Sequence, residues 1–147
     1  MDDYNLNSFV MKYMQIKKRI AAKYLKEEDL NAFESILLSI VYKHTECTQD
    51  RIGEITMFDG ASIARSLKKL EDRGFVFRQA DPSNRRKKIV HITDEGTELY
   101  DKVRQGFHES NETIFKGITS EEQKQLESIL AKVYENLDEV KDIFQIK

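Results

Sequence analysis

The chain has 147 residues, 39% of them hydrophobic and 34% charged; that is one domain's length with a core of useful size, and no apolar run reaches the roughly 18 residues of a membrane span. One cysteine excludes an internal disulfide framework, and one proline with six glycines excludes collagen-like, low-complexity and turn-dense sheet architectures. The net charge of −2 conceals a split: residues 61–93 hold nine bases and three acids, an excess of +6, and the rest of the chain is −8.

The start, Met1-Asp2-Asp3-Tyr4-Asn5, is acidic and polar and does not read as a secretory leader. Residues 4–25 carry Leu6, Phe9, Val10, Tyr13, Ile16, Ile20 and Tyr24 at helical spacing. Lys26-Glu27-Glu28-Asp29 interrupts the pattern, and Asn31 with Glu34 three residues on forms a capping box for the next helix. From Phe33 to Tyr42 apolar residues point almost all round, which predicts a buried central helix. A polar connection, His44–Cys47, leads to Thr48, an N-cap for a short helix with Ile52 and Ile55 inward. Phe58-Asp59-Gly60 reads as a tight turn. Residues 61–73 resume helical spacing through Ile63, Leu67 and Leu70, and Gly74 sits where a left-handed cap is wanted.

The period then changes. Phe75–Gln79 and Lys87–Ile92 read as two short strands joined by a basic, turn-rich segment, Ala80–Arg86. Thr93 caps a helix with Leu99, Val103 and Phe107 inward. Gly117 and Thr119-Ser120-Glu121-Glu122 mark a stop and a new start, and a long stripe from Leu126 to Phe144 follows. The fold class is therefore mainly α with a small β-hairpin (α+β), in one domain over 1–147. Its centre, 30–96, is a helix-turn-helix at 48–73 followed by a hairpin wing. The segments 1–28 and 97–147 hold more apolar stripe than this centre can cover, and read as homodimerisation helices.

A basic block in an acidic chain points to an anionic partner meeting one face. With Ile63, Leu67 and Leu70 inward, the helix 61–73 turns Ala61, Ser62, Arg65, Lys68 and Lys69 outward, as a helix entering the DNA major groove requires. Arg65 is long enough for bidentate contact with a guanine edge; Lys68 and Lys69 suit phosphates. Thr48 begins the preceding helix. Arg85, Arg86, Lys87 and Lys88 put cations on a narrow protrusion suited to phosphates or a minor groove.

Gly60–Val76, with Leu67-Lys68-Lys69-Leu70-Glu71-Asp72-Arg73-Gly74 at its heart, then Asp81–Arg86, then Ile92-Thr93-Asp94-Glu95-Gly96, resembles the MarR/SlyA regulators over residues 30–96. The resemblance implies a winged helix-turn-helix transcription regulator in the cytoplasm, usually a homodimeric repressor on double-stranded DNA, often released by a small molecule or an oxidant. It also implies an effector pocket between the DNA-binding core and the dimer helices. Tyr13, Ile16, Ile40, His44 and Phe58 are candidate linings for a small aromatic or lipophilic effector, although each taken singly reads first as a core residue. The family's wing usually has an aspartate where Asn84 stands. A neutral acceptor bonds a guanidinium roughly half as strongly, so the wing is less braced or Arg86 is freer for phosphate.

Other chemistries find less support. No nucleotide-binding, metalloprotease or hydrolase motif is present and no nucleophile–base pair can be proposed, so an enzyme is not expected. His44, Glu46 and Cys47 with a distant His108 do not make a recognisable ligand set, and no metal or cofactor is expected. Cys47 reads as an ordinary semi-buried thiol rather than a redox sensor. The alternatives are a wing-and-helix module that docks proteins and not DNA, or a redox- or metal-sensing form of the regulator.

Overall fold

The computed structural model describes residues 5–145; residues 1–4 and 146–147 of the two expected dimerisation segments lie outside them. Helix α1 (Leu6–Leu25) starts at Asn5, whose side chain accepts from the Ser8 amide. A single 3-10 turn, Lys26–Glu28, ends on Asp29 in the left-handed region. Helix α2 (Ala32–Lys43) opens on the expected capping box: Asn31 Oδ1 accepts from the Phe33 amide at 2.7 Å, and Glu34 Oε2 from the Asn31 amide at 2.8 Å. Such caps contribute about 1 kcal/mol each.

Strand β1 (Cys47–Thr48) precedes α3 (Gln49–Thr56), which Thr48 caps through the Arg51 amide at 3.2 Å. Helix α4 is Gly60–Asp72, β2 is Val76–Asp81, β3 is Asn84–Ile92, α5 is Asp94–Ile114 and α6 is Ser120–Phe144. The three strands form one antiparallel sheet in the order β1-β3-β2, with Cys47 opposite Val90 and Val76 opposite Ile92. Mainly helical with a small sheet, this is the expected fold class. The chain divides into two compact units, one reaching Glu109 and the other starting at Ser110.

In the first unit, Leu25, Leu37, Leu38, Ile52, Ile63, Leu67, Leu70, Val76 and Val90 are fully buried, drawn from α1 to β3. Leu99 and Val103 of α5 join them. The core thus takes in Ala21 and Leu25 of α1 and the first half of α5, beyond the 30–96 boundary read from sequence. The apolar spacing explains why: a stripe serves whatever surface meets it, and the inner turns of both helices meet this core.

The junction between hairpin and α5 explains the Ile-Thr-Asp-Glu-Gly run. The Thr93 hydroxyl donates to the Gly74 carbonyl at 2.6 Å and accepts from the Gly96 amide at 3.0 Å, while the Thr93 amide donates to the Phe75 carbonyl at 3.1 Å. At Gly96 an added Cβ would lie 2.1 Å from the Phe75 carbonyl oxygen, so only glycine lets α5 approach the root of the hairpin this closely. Gly74, at φ 76°, makes the left-handed turn out of α4.

In the second unit, Thr119 and Glu122 make a reciprocal capping box for α6. No residue of α6 is buried. Its stripe of Leu126, Ile129, Leu130, Val133, Leu137, Val140 and Phe144 is exposed along the whole helix. No described helix is long and apolar enough to cross a membrane.

Several expectations are corrected. Helix α2 is buried on one side only, since Ile36 and Tyr42 are about two-fifths exposed. Ile55, expected inward, is exposed, because α3 is only two turns long and seats itself through Ile52. Cys47 belongs to a strand and is fully buried rather than semi-buried. The basic turn shrinks to Pro82-Ser83, so Asn84–Arg86 are strand residues.

Candidate nucleic-acid interface

Helix α4 is set by its cap and its apolar face. Asp59, which the sequence reading placed in a turn, is the N-cap: its Oδ1 accepts from the Ser62 amide at 2.8 Å. Hydrogen bonds from the Ser62 side chain and amide hold the Asp59 carboxyl below the usual carboxylate range. Ile63, Leu67 and Leu70 are wholly buried, which turns Ala61, Arg65 and Lys68 to solvent. The Arg65 guanidinium donates to Ser62 Oγ at 3.1 Å and, among the described residues, makes no ion pair; it does not bond Glu71 or Asp72. Those two acids are engaged elsewhere, Asp72 by Lys68 at 2.5 Å and Glu71 by Arg78 at 3.4 Å. Lys69, half-buried, pairs with Asp29 at 3.3 Å.

The start of α3 adjoins the start of α4: Gln49 Nε2 donates to the Gly60 carbonyl at 3.2 Å. Thr48, Gln49 and Asp50 also line one concavity with Arg78, Arg86, Lys87 and Lys88. Thr48 therefore links the start of α3 to the wing strand, since β1 hydrogen-bonds to β3 beside it. On the wing, Arg85, Arg86, Lys87 and Lys88 are exposed, and among the described residues none of them makes an ion pair. Asn84 Oδ1 accepts from the Arg86 amide at 3.1 Å rather than from its guanidinium. The carboxylate that braces the turn is Asp81 instead: its Oδ1 accepts from the Ser83 amide and hydroxyl at 2.7 and 2.6 Å. Those bonds hold Asp81 below the usual carboxylate range. Nothing in the sequence pattern marked Asp59 or Asp81 for these roles except their place before Ser62 and Ser83.

No described cavity brings the five candidate effector residues together. An apolar groove of about 460 Å³ opens between α1, α2 and α5, and of the five only Ile40 lines it; Met14, Lys17, Ile36, Tyr100, Arg104 and Phe107 are among its other walls. Phe58 packs edge-on against Phe33, centroids 4.7 Å apart, and Tyr13 stacks on Phe9 at 5.6 Å. His44 lies in an open polar hollow with Thr48, Arg51 and Lys87. Ile16 is partly exposed on α1. Sequence spacing missed the groove because its walls come from three helices far apart in the chain. Burial pushes the Lys17 ammonium pKa down, and Lys17 Nζ donates to the Phe107 carbonyl at 3.2 Å.

Burial also pushes the Cys47 thiol up, which disfavours the reactive thiolate. Among the described residues no three His, Cys, Asp or Glu side chains gather into a metal-binding group.

A helix-turn-helix with an outward arginine, followed by a cationic hairpin, defines a winged-helix protein. The family model of the MarR family matches residues 30–88. The HTH-type transcriptional regulator YkoM of Bacillus subtilis (strain 168) is 30% identical over 107 residues, 73% of this chain and 70% of that protein. YybA, another HTH-type transcriptional regulator of that strain, is 29% identical over 113 residues, 77% of this chain and 75% of its own length. Among solved structures, the transcriptional regulator SlyA matches with a TM-score of 0.80 at 27% identity, over 95% of this chain and 97% of that one. An S. aureus MepR–DNA complex shares the fold, with a TM-score of 0.77 at 21% identity over 93% and 99% of the two chains. The chain belongs to the MarR family of transcriptional regulators. That membership agrees with the expectation that it is no enzyme.

Proposed function

We propose that the chain is a cytoplasmic, sequence-specific double-stranded-DNA-binding repressor that acts as a homodimer on an inverted-repeat operator. The observation that carries this reading is the concavity that Thr48 shares with Arg86, Lys87 and Lys88, beside an α3 start joined to the α4 start through Gln49 and Gly60; Arg65 on α4 and Arg85 on β3 are exposed as well, and among the described residues none of these five cations makes an ion pair. Arg65 reads a base edge in the major groove; the wing cations hold phosphates or enter the minor groove. Lys68 and Lys69 reach phosphates by exchanging Asp72 and Asp29 for DNA. The uncovered stripes of α1 and α6, Phe9 and Leu130 among them, supply the dimer's contacts.

Release by an effector is supported by the groove between α1, α2 and α5, with its aromatic walls and Lys17 and Arg104 beside them. That lining suits a small aromatic or lipophilic anion. Selection of bound sites from random duplexes at a fixed salt concentration tests the reading. It should enrich an inverted repeat with half-sites about 10–10.5 bp apart, centre to centre. Failure to enrich any sequence, with proteins captured instead, favours the docking module and contradicts the proposal.

A further inference from the structure

One polar contact in the core serves neither a cap alone nor the DNA face. Glu34 is 3% exposed and Ser66 is 9% exposed. The Ser66 hydroxyl donates to Glu34 Oε1 at 2.8 Å, across 32 residues of sequence, while Glu34 Oε2 accepts from the Asn31 amide at 2.8 Å. Both carboxylate oxygens are thus committed, one to the first turn of α2 and one to the middle of α4. We propose that Glu34 and Ser66 are positioning residues that set the rotation of α4 about its own axis, and so the direction in which Arg65 meets DNA. The inference rests on the DNA-reading function proposed above.

The physical argument is one of direction. Ile63, Leu67 and Leu70 seat α4 through apolar contacts, which are strong but non-directional. A helix turns about 100° per residue, so a modest roll on that greasy seat re-aims Arg65 while keeping most of the burial. A buried hydrogen bond does not tolerate the roll, because it weakens steeply with angle. Its donor, Ser66, is the residue next to Arg65. A serine inside a helix commonly turns its hydroxyl back to its own helix; this one reaches to another helix. A well-packed apolar pair could hold α2 and α4 together at least as strongly. What the carboxylate adds is an angle, and through Asn31 that angle is referred to the capped, rigid start of α2.

The test compares affinities for the enriched operator and for an unrelated duplex at one salt concentration, with thermal melting run alongside, for wild type, Ser66→Ala, Glu34→Gln and the double variant Glu34→Met/Ser66→Ala. Alanine is the best helix former, so Ser66→Ala should fold. Its ratio of specific to non-specific affinity should fall about ten-fold, the effect of a buried bond lost, while non-specific affinity stays as in wild type. Glu34→Gln should keep the wild-type ratio, because the amide accepts from the Asn31 amide through oxygen and donates to Ser66 through nitrogen. The double variant replaces both partners by apolar groups, which can restore stability; its melting temperature should exceed that of Ser66→Ala while its ratio stays low. A Ser66→Ala ratio equal to that of a discriminating wild type overturns this inference alone, as does a double variant whose ratio recovers with its melting temperature. A wild type with no sequence preference overturns the DNA-reading function and this inference together.

Discussion

Helix α4 and the wing carry the same kind of side chain and spend it differently. On α4, Lys68 and Lys69 pair with Asp72 and Asp29, whereas the Arg65 guanidinium bonds the Ser62 hydroxyl and, among the described residues, makes no ion pair. On the wing, Arg85, Arg86, Lys87 and Lys88 stand exposed on β3, and none of them makes an ion pair among the described residues. The helix is also the more tightly fixed of the two, by three fully buried side chains and the Glu34 contact. A cation on a rigid, capped helix can be aimed at one base edge. Unpaired cations on a protruding ribbon supply attraction that does not depend on sequence. Under the proposed function, the two elements divide affinity from discrimination.

The largest effect should come from the seat that joins them. Gly96→Ala drives a Cβ into the Phe75 carbonyl at the root of the wing. It should destabilise the fold by about 3 kcal/mol, the upper end for overpacking, which denaturant unfolding reads directly. A variant as stable as wild type would show that the junction can yield and that the wing is not held by it.

Removing the wing's charge should come next. Arg86→Ala, Lys87→Ala and Lys88→Ala together should weaken operator and unrelated duplex alike and lower the salt dependence of binding by about one per lost phosphate contact, about three in all. Filter binding across a salt series measures this. An unchanged slope removes the wing from the interface.

The smallest effect concerns the internal pairs on α4. Asp29 is 80% exposed and its pair with Lys69 spans 3.3 Å, so the pair itself contributes well under about 1 kcal/mol. Asp29→Asn should free Lys69 and strengthen non-specific binding by less than about five-fold, with no change in sequence preference. Weakened binding would mean that Asp29 positions the helix and does not merely compete with DNA for Lys69.

The caps were legible in the sequence. Asn31 with Glu34, Thr48, Thr93 and Thr119 with Glu122 are local patterns, and each capping oxygen finds its amide within three residues. The outward side of α4 was legible for the same reason, since helical spacing alone decides which side Ile63 and Leu67 bury. Strand β1 was not: two residues have no period, and their pairing with β3 lies some forty residues away. The full burial of Cys47 follows from that pairing and was hidden with it. The wing turn was read as too long because charged residues such as Arg85 and Arg86 have little strand preference of their own, and the ladder to β2 overrides it. Asp59 was hidden inside Phe58-Asp59-Gly60, where aspartate serves a turn as readily as a cap. The Glu34–Ser66 bond lay beyond any spacing rule, although Glu34 itself was already marked as a capping residue.

The division of labour is tested most directly at Arg65. Arg65→Ala should cost about 1–3 kcal/mol on the operator and relax preference at one base position in each half-site, leaving unrelated duplex nearly unaffected. Arg65→Lys should restore only part of that, because an ammonium lacks the planar fork. The ratio of specific to non-specific affinity, measured at one salt concentration for Arg65→Ala and for the triple wing variant, should collapse in the first and persist in the second. Equal ratios in both variants would contradict the account.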